Sequence, residues 1–279
     1  MLKRVKRDEP HVVEGVGPVF GVSRWEARFS GPQLADDYFG TGFAFYPGMT
    51  VLDIGANVGM FTLQVLRRCG GDARVLAFEP APANFRDLER NVSALWPDAD
   101  VRMFRSAVAA APGDATFYFR PRVPAMSSLD PEPPEQDRAA VIEAALREPP
   151  AQLRAGRIQR MPRFVRRAVM HGLAWWTSAA EAVPLPCPVT TVSAVLAEQG
   201  IDQLDYLKID VEGAEFDVLC GVDATDWPKI RQVAVETHDV DGRLSKVRAL
   251  LERAGLITKA AQHWPFEGTG VYMVHGVRG

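Results

Sequence analysis

Two groups of residues have the types and spacing to do chemistry. The first is Asp53, Gly55, Asn57 and Gly59 in Val51-Leu52-Asp53-Ile54-Gly55-Ala56-Asn57-Val58-Gly59-Met60-Phe61-Thr62, with Glu79 further on. An apolar run ends in an acid, a turn with two glycines follows, and an apolar pattern suited to a helix begins. That is the layout of strand, tight turn and helix at the start of a doubly wound α/β domain. Gly55 can take a backbone conformation closed to residues with a Cβ, and Gly59 lets another chain or a ligand come close. The helix N-terminus behind them offers unpaired N–H groups. A nucleotide-like ligand belongs there.

The turn is not the glycine fingerprint of a dinucleotide fold. Asn57 stands where a second glycine would be wanted, and Asp53 puts a negative charge where a pyrophosphate would approach. An acid there answers to a ligand with a cationic amine, such as the methionyl end of S-adenosylmethionine. Glu79 ends the next strand, where its carboxylate can accept both ribose hydroxyl protons. Without a ligand, Asp53 would cap the helix and Glu79 would be solvated. The two acids together favour the ligand.

The second group is Lys208, Asp210, Glu212 and Glu215, with Glu236 and His238. Lys208, Asp210 and Glu212 share one side if their strand continues past the turn, so a plain Lys–Asp pair is one reading. Asp210 is taken as a site residue. Glu212 is either a site residue or a structural acceptor, and Glu215 reads as a first-turn helix acid. Glu236 and His238 stand at i and i+2 and face the same way. The imidazole can take a proton near neutral pH, with Glu236 holding its orientation; the alternative is a strand-end histidine bonded to a loop carbonyl. Asp210, Glu236, His238 and Asp239 are also types that can gather a divalent cation. Their spacing does not demand one, and the reading taken here has no metal. His11, His171, His263 and His275 default to structural roles.

The elements that must position these residues can be read from the pattern. Helices are expected over about 60–68, stopped by Gly70-Gly71, and over 83–96, where Phe85, Leu88, Val92, Leu95 and Trp96 recur at helical spacing. Strands are expected over 51–54, 74–78, 101–109 and 115–120. The rhythm resumes with strands over 189–192, 204–210 and 230–236, a helix over 244–254, and final strands over 256–261 and 270–275. Strands alternating with helices require a parallel sheet covered on both faces. Between them, 121–188 is an insertion broken by prolines. Its 157–176 part has Met161, Phe164, Val165, Ala168, Val169, Leu173 and Trp176 on one face and Arg160, Arg163, Arg166 and Arg167 on the other.

The 279 residues are 47% hydrophobic and 24% charged, with a formal net charge of -3, so nothing global points to nucleic acid. Cys69, Cys187 and Cys220 are widely spaced and read as reduced thiols of a cytoplasmic protein. The basic start, with Lys3, Arg4, Lys6 and Arg7, has no apolar run of a signal peptide. No stretch of about 18 apolar residues predicts a membrane span.

Taken together, Asp-Ile-Gly-Ala-Asn-Val-Gly at 53–59, Ala-Phe-Glu-Pro-Ala-Pro-Ala-Asn at 77–84 with Leu88 and Asn91, Leu-Lys-Ile-Asp-Val-Glu-Gly-Ala-Glu at 207–215 and Val-Glu-Thr-His at 235–238 resemble the FkbM family. These are S-adenosylmethionine-dependent methyltransferases, many acting on hydroxyls of natural products or sugars. The resemblance runs from about Pro47 to Val274, outside the insertion. It implies a Rossmann-like class I methyltransferase fold, with a seven-stranded, mostly parallel sheet and an antiparallel last strand. It implies that Asp53, Gly55, Asn57 and Gly59 hold the methionyl part of the cofactor, Glu79 its ribose, and Ser106 and Ala107 the adenine border. Ser193 departs from the family, which usually has an acid there, but serine serves equally as an N-cap. Ser127-Ser128-Leu129 resembles a small family segment, either a site contact or a loop turn.

The expectation is therefore one domain, 1–279, with an N-terminal extension over 1–46 and the 121–188 insertion. Its activity would be transfer of a methyl group from S-adenosylmethionine to a hydroxyl of a natural-product (polyketide-like) or sugar acceptor. Asp210, Glu212, Glu236 and His238 would serve the acceptor, a small and in part lipophilic molecule. For the insertion the order of readings is lid, packed surface helix, then membrane contact through 157–176. The other readings are a cofactor-binding module docking on a carrier or membrane without turnover, and an NAD-dependent oxidoreductase, which Asp53 and Asn57 disfavour.

Overall fold

The computed structural model describes residues 8–23, 26–27, 31, 37–40, 42–121, 124–131, 162, 164–165, 182–263 and 266–279. The basic tail Lys3 to Arg7, and nearly all of the expected 157–176 helix, lie outside the described residues. The chain opens with a hairpin of β1 (His11–Val13) and β2 (Gly17–Val19). β3 (Met49–Ile54), α1 (Met60–Arg68), β4 (Ala73–Phe78), α2 (Pro82–Leu95) and β5 (Val101–Phe104) follow. Then come β6 (Ala107–Val108), β7 (Gly113–Phe119), β8 (Val183–Thr190), α3 (Val192–Glu198), β9 (Tyr206–Ile209) and α4 (Glu215–Cys220). β10 (Gln232–His238), α5 (Arg243–Arg253), β11 (Leu256–Ala261) and β12 (Val271–Arg278) complete the chain.

The main sheet has seven strands in the order β11-β12-β10-β9-β3-β4-β5. β12 runs antiparallel between β10 and β11, and the other pairings are parallel. This is the Rossmann-like α/β sheet that the alternating pattern predicts. Its strand order reverses between β3 and β9, and ligands bind in the crevice beyond the carboxyl ends at such a point. Parallel strands buried on both faces need apolar residues facing both ways. Leu52, Ile54, Leu76, Leu207 and Ile209 accordingly pack on one side, while Val51, Val75 and Tyr206 pack on the other.

Three local expectations are corrected. The single strand expected over 101–109 is two strands. β5 leaves β4 after Phe104, and Ala107 and Val108 pair instead with Val189 and Thr190 in a second sheet, β6-β8-β7. β8 itself contains Pro184, Pro186 and Pro188, which read as breaks in the sequence. They fall at every second position, so all can sit in the non-hydrogen-bonded pairs with β7, where no N–H is needed. Finally, α3 is capped by Thr191, whose side chain accepts from the Ala194 N–H, and not by Ser193. The Ser193 hydroxyl instead accepts from the Asp223 N–H at 2.8 Å.

Described residues of the expected N-terminal extension pack on α1, α2 and the end of the sheet. Val13, Val16, Val19 and Val22 bury against Leu63, Leu88 and Val92, and Tyr38 joins Phe61 and Tyr206. Among the described residues, no helix is long and apolar enough to cross a membrane.

Candidate active site

The glycine turn sits between β3 and α1, where the sheet order reverses. Gly55 has φ 79, and a Cβ there would run into the Asp210 carbonyl oxygen. Its role is therefore to let the β9 chain pass the turn. Gly59 has φ 89, and its Cβ would lie 2.6 Å from Leu88 Cδ1, so it lets α2 close on α1. Asn57 is left-handed at φ 51, and its N–H donates to Glu79 Oε2 at 2.9 Å. The Ala81 N–H donates to Glu79 Oε1 at 2.8 Å. Burial pushes the Glu79 carboxyl up to about 7, although both N–H groups favour its charged form. The Asn84 side chain also bonds this carboxylate, and part of its acceptor capacity remains for a further donor.

Asp53 already has a cation of the chain's own against it. It is fully buried, takes the Thr62 hydroxyl at 2.7 Å, and pairs with Lys208 Nζ at 3.2 Å. Lys208 Nζ also donates to Gly55 O at 2.7 Å and Ile54 O at 3.3 Å, and lies 3.5 Å from Asp210 Oδ2. Burial draws the ammonium's pKa down, but Asp53 and Asp210 reverse this and leave it raised. Lys208 thus ties the end of β9 to the glycine turn. The anticipated Lys208–Asp210 pair exists, with Asp53 as the shorter partner.

Beside the turn lies a small cleft walled by Gly55, Phe78, Pro80, Ser106, Ala107 and Leu129 and reaching Val211 and Ala214. Ser106 and Ala107 line it at the break between β5 and β6, which is why the break matters. Leu129 also contributes, whereas the two serines before it hold their own loop. Ser127 Oγ accepts from the Arg120 N–H, and Ser128 Oγ bonds to the Asp130 backbone.

At the carboxyl ends of β9 and β10, Asp210, Glu212 and Glu236 each place a carboxylate oxygen within 4.8 Å of the others. Glu212 is left-handed at φ 55, a strain of about 1–2 kcal/mol. Burial pushes the Glu212 and Glu236 carboxyls well up, with Asp210 the next cause for both. Such acids share protons instead of all ionising. The group is not the one anticipated for a cation, since His238 is engaged elsewhere.

His238 is only 2% exposed. Its Nδ1 lies 3.0 Å from Glu215 Oε1, and its Nε2 lies 3.6 Å from Glu212 Oε2. Glu215 therefore orients the ring, not Glu236 as the i, i+2 spacing suggested. Glu215 is fully buried at the start of α4, takes the Gly213 N–H at 2.6 Å, and has Arg243 at 3.7 Å. Burial lowers the His238 pKa, but the hydrogen bond and charge of Glu215, then Glu236 and Asp210, raise it overall. Sequence reasoning also missed Tyr38, whose hydroxyl donates to Asp210 Oδ2 at 2.9 Å from the N-terminal segment. Nothing local marks Tyr38, and Glu215 was visible only as a helix acid, because each acts across a long sequence separation.

Comparison with known proteins agrees with this fold. Residues 53–257 match the family profile described as Methyltransferase FkbM domain. The 31-O-demethyl-FK506 methyltransferase FkbM of Streptomyces tacrolimicus is 36% identical over 255 residues, 91% of this chain and 90% of that one. Methyltransferase sdnD of Sordaria araneosa is 30% identical over 254 residues, 88% of each. Among solved structures, a methyltransferase FkbM from Methylobacillus flagellatus KT superposes with a TM-score of 0.52 at 14% identity, covering 87% of this chain and 47% of that one. That likeness shows the fold. The chain belongs to the FkbM family of methyltransferases.

Proposed function

We propose that the protein transfers a methyl group from S-adenosylmethionine to a hydroxyl of a small natural-product or sugar acceptor. The observation that carries this reading is the acid group Asp210, Glu212 and Glu236, next to the glycine turn and the cleft. It is supported by the relative named as a 31-O-demethyl-FK506 methyltransferase, a name that puts the missing methyl group on an oxygen.

The residues present fit the cofactor. Glu79 keeps acceptor capacity for ribose hydroxyls, and the cleft wall at Ser106, Ala107 and Leu129 suits a flat apolar ring. Bound there, S-adenosylmethionine would supply an electrophilic methyl group on a sulfonium whose departure needs no proton. What remains for this chain is to orient the acceptor hydroxyl and take its proton. Asp210, with its side chain 28% exposed, holds the hydroxyl, and the proton passes to the Glu212 and Glu236 pair, which shares one proton and so keeps one carboxylate able to take it. His238, behind Glu212 and held by Glu215, adjusts its charge to that transfer. The buried imidazole acts through Glu212 and does not itself touch the acceptor. In this reading the acids share protons and no metal is needed.

Calorimetry with S-adenosylhomocysteine and with NAD, then methyl transfer from labelled cofactor to hydroxylated metabolites, tests the proposal. Binding of S-adenosylhomocysteine and label on oxygen are expected. NAD binding alone, or label on nitrogen or carbon, would overturn it. Excess chelator should leave turnover intact; full loss restored by magnesium would replace proton sharing with a cation held by the three acids.

A further inference from the structure

Tyr38 is part of an N-terminal segment that the glycine-turn chemistry does not require, yet its hydroxyl ends at the reaction site. The residue is 4% exposed, with its ring edge-on to Phe61 at 5.5 Å and Lys208 Nζ 5.6 Å from its centroid. Its neighbours Phe39, Phe43, Phe45, Phe61 and Tyr206 make an aromatic cluster in which phenylalanine would pack as well. A buried hydroxyl is costly unless it is bonded. Here the bond goes to Asp210 Oδ2 at 2.9 Å. Burial, and then the Asp210 charge, push the phenol well up, so it remains a donor.

The segment is fixed at several points. Tyr206 donates its hydroxyl to Tyr38 O at 2.7 Å, His275 Nε2 lies 2.7 Å from Asp37 O, and His263 Nδ1 lies 2.8 Å from Asp37 Oδ1. The hydroxyl is therefore presented from a rigid support. Among the described residues, Tyr38 and Lys208 both address Oδ2 of Asp210, which leaves Oδ1 for a further partner.

We infer that Tyr38 is a positioning residue for methyl transfer. Its O–H pins Asp210 by Oδ2 so that Oδ1 meets the acceptor hydroxyl, and the active site is incomplete without the N-terminal segment. This inference rests on the acceptor-holding role of Asp210 proposed above.

Tyr38→Phe removes the hydroxyl and keeps the ring. A fall in kcat on the order of tenfold or more is expected, the usual worth of a hydrogen bond to a charged group. Affinity for S-adenosylhomocysteine should stay within about twofold, because no cofactor-holding group is touched. In an Asp210→Asn background the same substitution should add little. A kcat within about twofold of wild type, or an equal loss in the Asp210→Asn background, would overturn the inference. A crystal structure of Tyr38→Phe with S-adenosylhomocysteine reads the same point without turnover. The Asp210 carboxylate should rotate, and an unmoved carboxylate would sink the idea. If wild type binds S-adenosylhomocysteine but methylates no hydroxyl, the O-methyltransferase reading fails separately, and the crystal structure still judges Tyr38.

Discussion

Replacing Lys208 with methionine tests whether a buried cation, and not a ligand, is what Asp53 is there to meet. Methionine keeps much of the aliphatic stem and removes the ammonium. Asp53 is fully buried, and the substitution leaves it with Thr62 at 2.7 Å as its remaining close donor. Gly55 O loses its donor at 2.7 Å in the same step, while Ile54 O loses one at 3.3 Å and keeps the Asp210 N–H at 3.1 Å. Breaking a buried pair from one side costs about 3–5 kcal/mol, because a charge is stranded in a poor solvent. Against a total stability of about 5–15 kcal/mol, that is a large fraction. With a urea dependence of about 2–3 kcal/mol per molar, the midpoint should fall by roughly 1–2 M. The assay is urea unfolding followed by fluorescence, with Asp53→Asn and the double variant measured alongside. The double variant should be less damaged than the sum of the singles by about 2–3 kcal/mol, since neither charge is then stranded. A Lys208→Met loss below about 1 kcal/mol, or strictly additive losses, would refute the reasoning.

Other consequences are equally direct. Glu79 is raised from 4.5 to about 7, so the folded state holds its proton more tightly than the unfolded chain. The stability this provides is present below 4.5 and lost as pH rises through about 7, and Glu79→Gln should flatten that decline in a Tm–pH series. His238 is raised above 6.5, after burial has drawn it down, chiefly by Glu215. Its contribution is present below 6.5 and lost as pH rises through the folded value, and Glu215→Gln should weaken the loss in alkaline melting curves. The same variant should reduce kcat by about tenfold or more without weakening S-adenosylhomocysteine binding; a large loss of cofactor affinity would contradict the assignment. Gly59→Ala forces a Cβ to 2.6 Å from Leu88 Cδ1 at φ 89, and should cost about 1–3 kcal/mol in chemical unfolding.

Much of the scaffold was legible in the chain. Periodicity over 60–68 and 83–96 predicted α1 and α2 to within a residue or so, because one apolar face of each must meet the sheet. The acids at 53, 79, 210 and 236 were visible as strand ends, since apolar runs stop where a sheet meets its crevice. Less was legible where pairing decided the outcome. The break between β5 and β6 falls on Arg105-Ser106, two residues that a half-buried strand also tolerates, and the prolines of β8 concealed a strand.

The sequence by itself determined the strand–turn–helix order, the acids at the crevice and the family. Those follow from local pattern, burial period and motif. Only the tertiary structure decided which charge meets which. Asp53 was set against Lys208, His238 against Glu215, and Asp210 against Tyr38, pairs lying far apart in the chain. The reason is physical. Residue type says that a buried charge must find a partner, but the choice of partner depends on which elements the sheet order brings within about 3–4 Å.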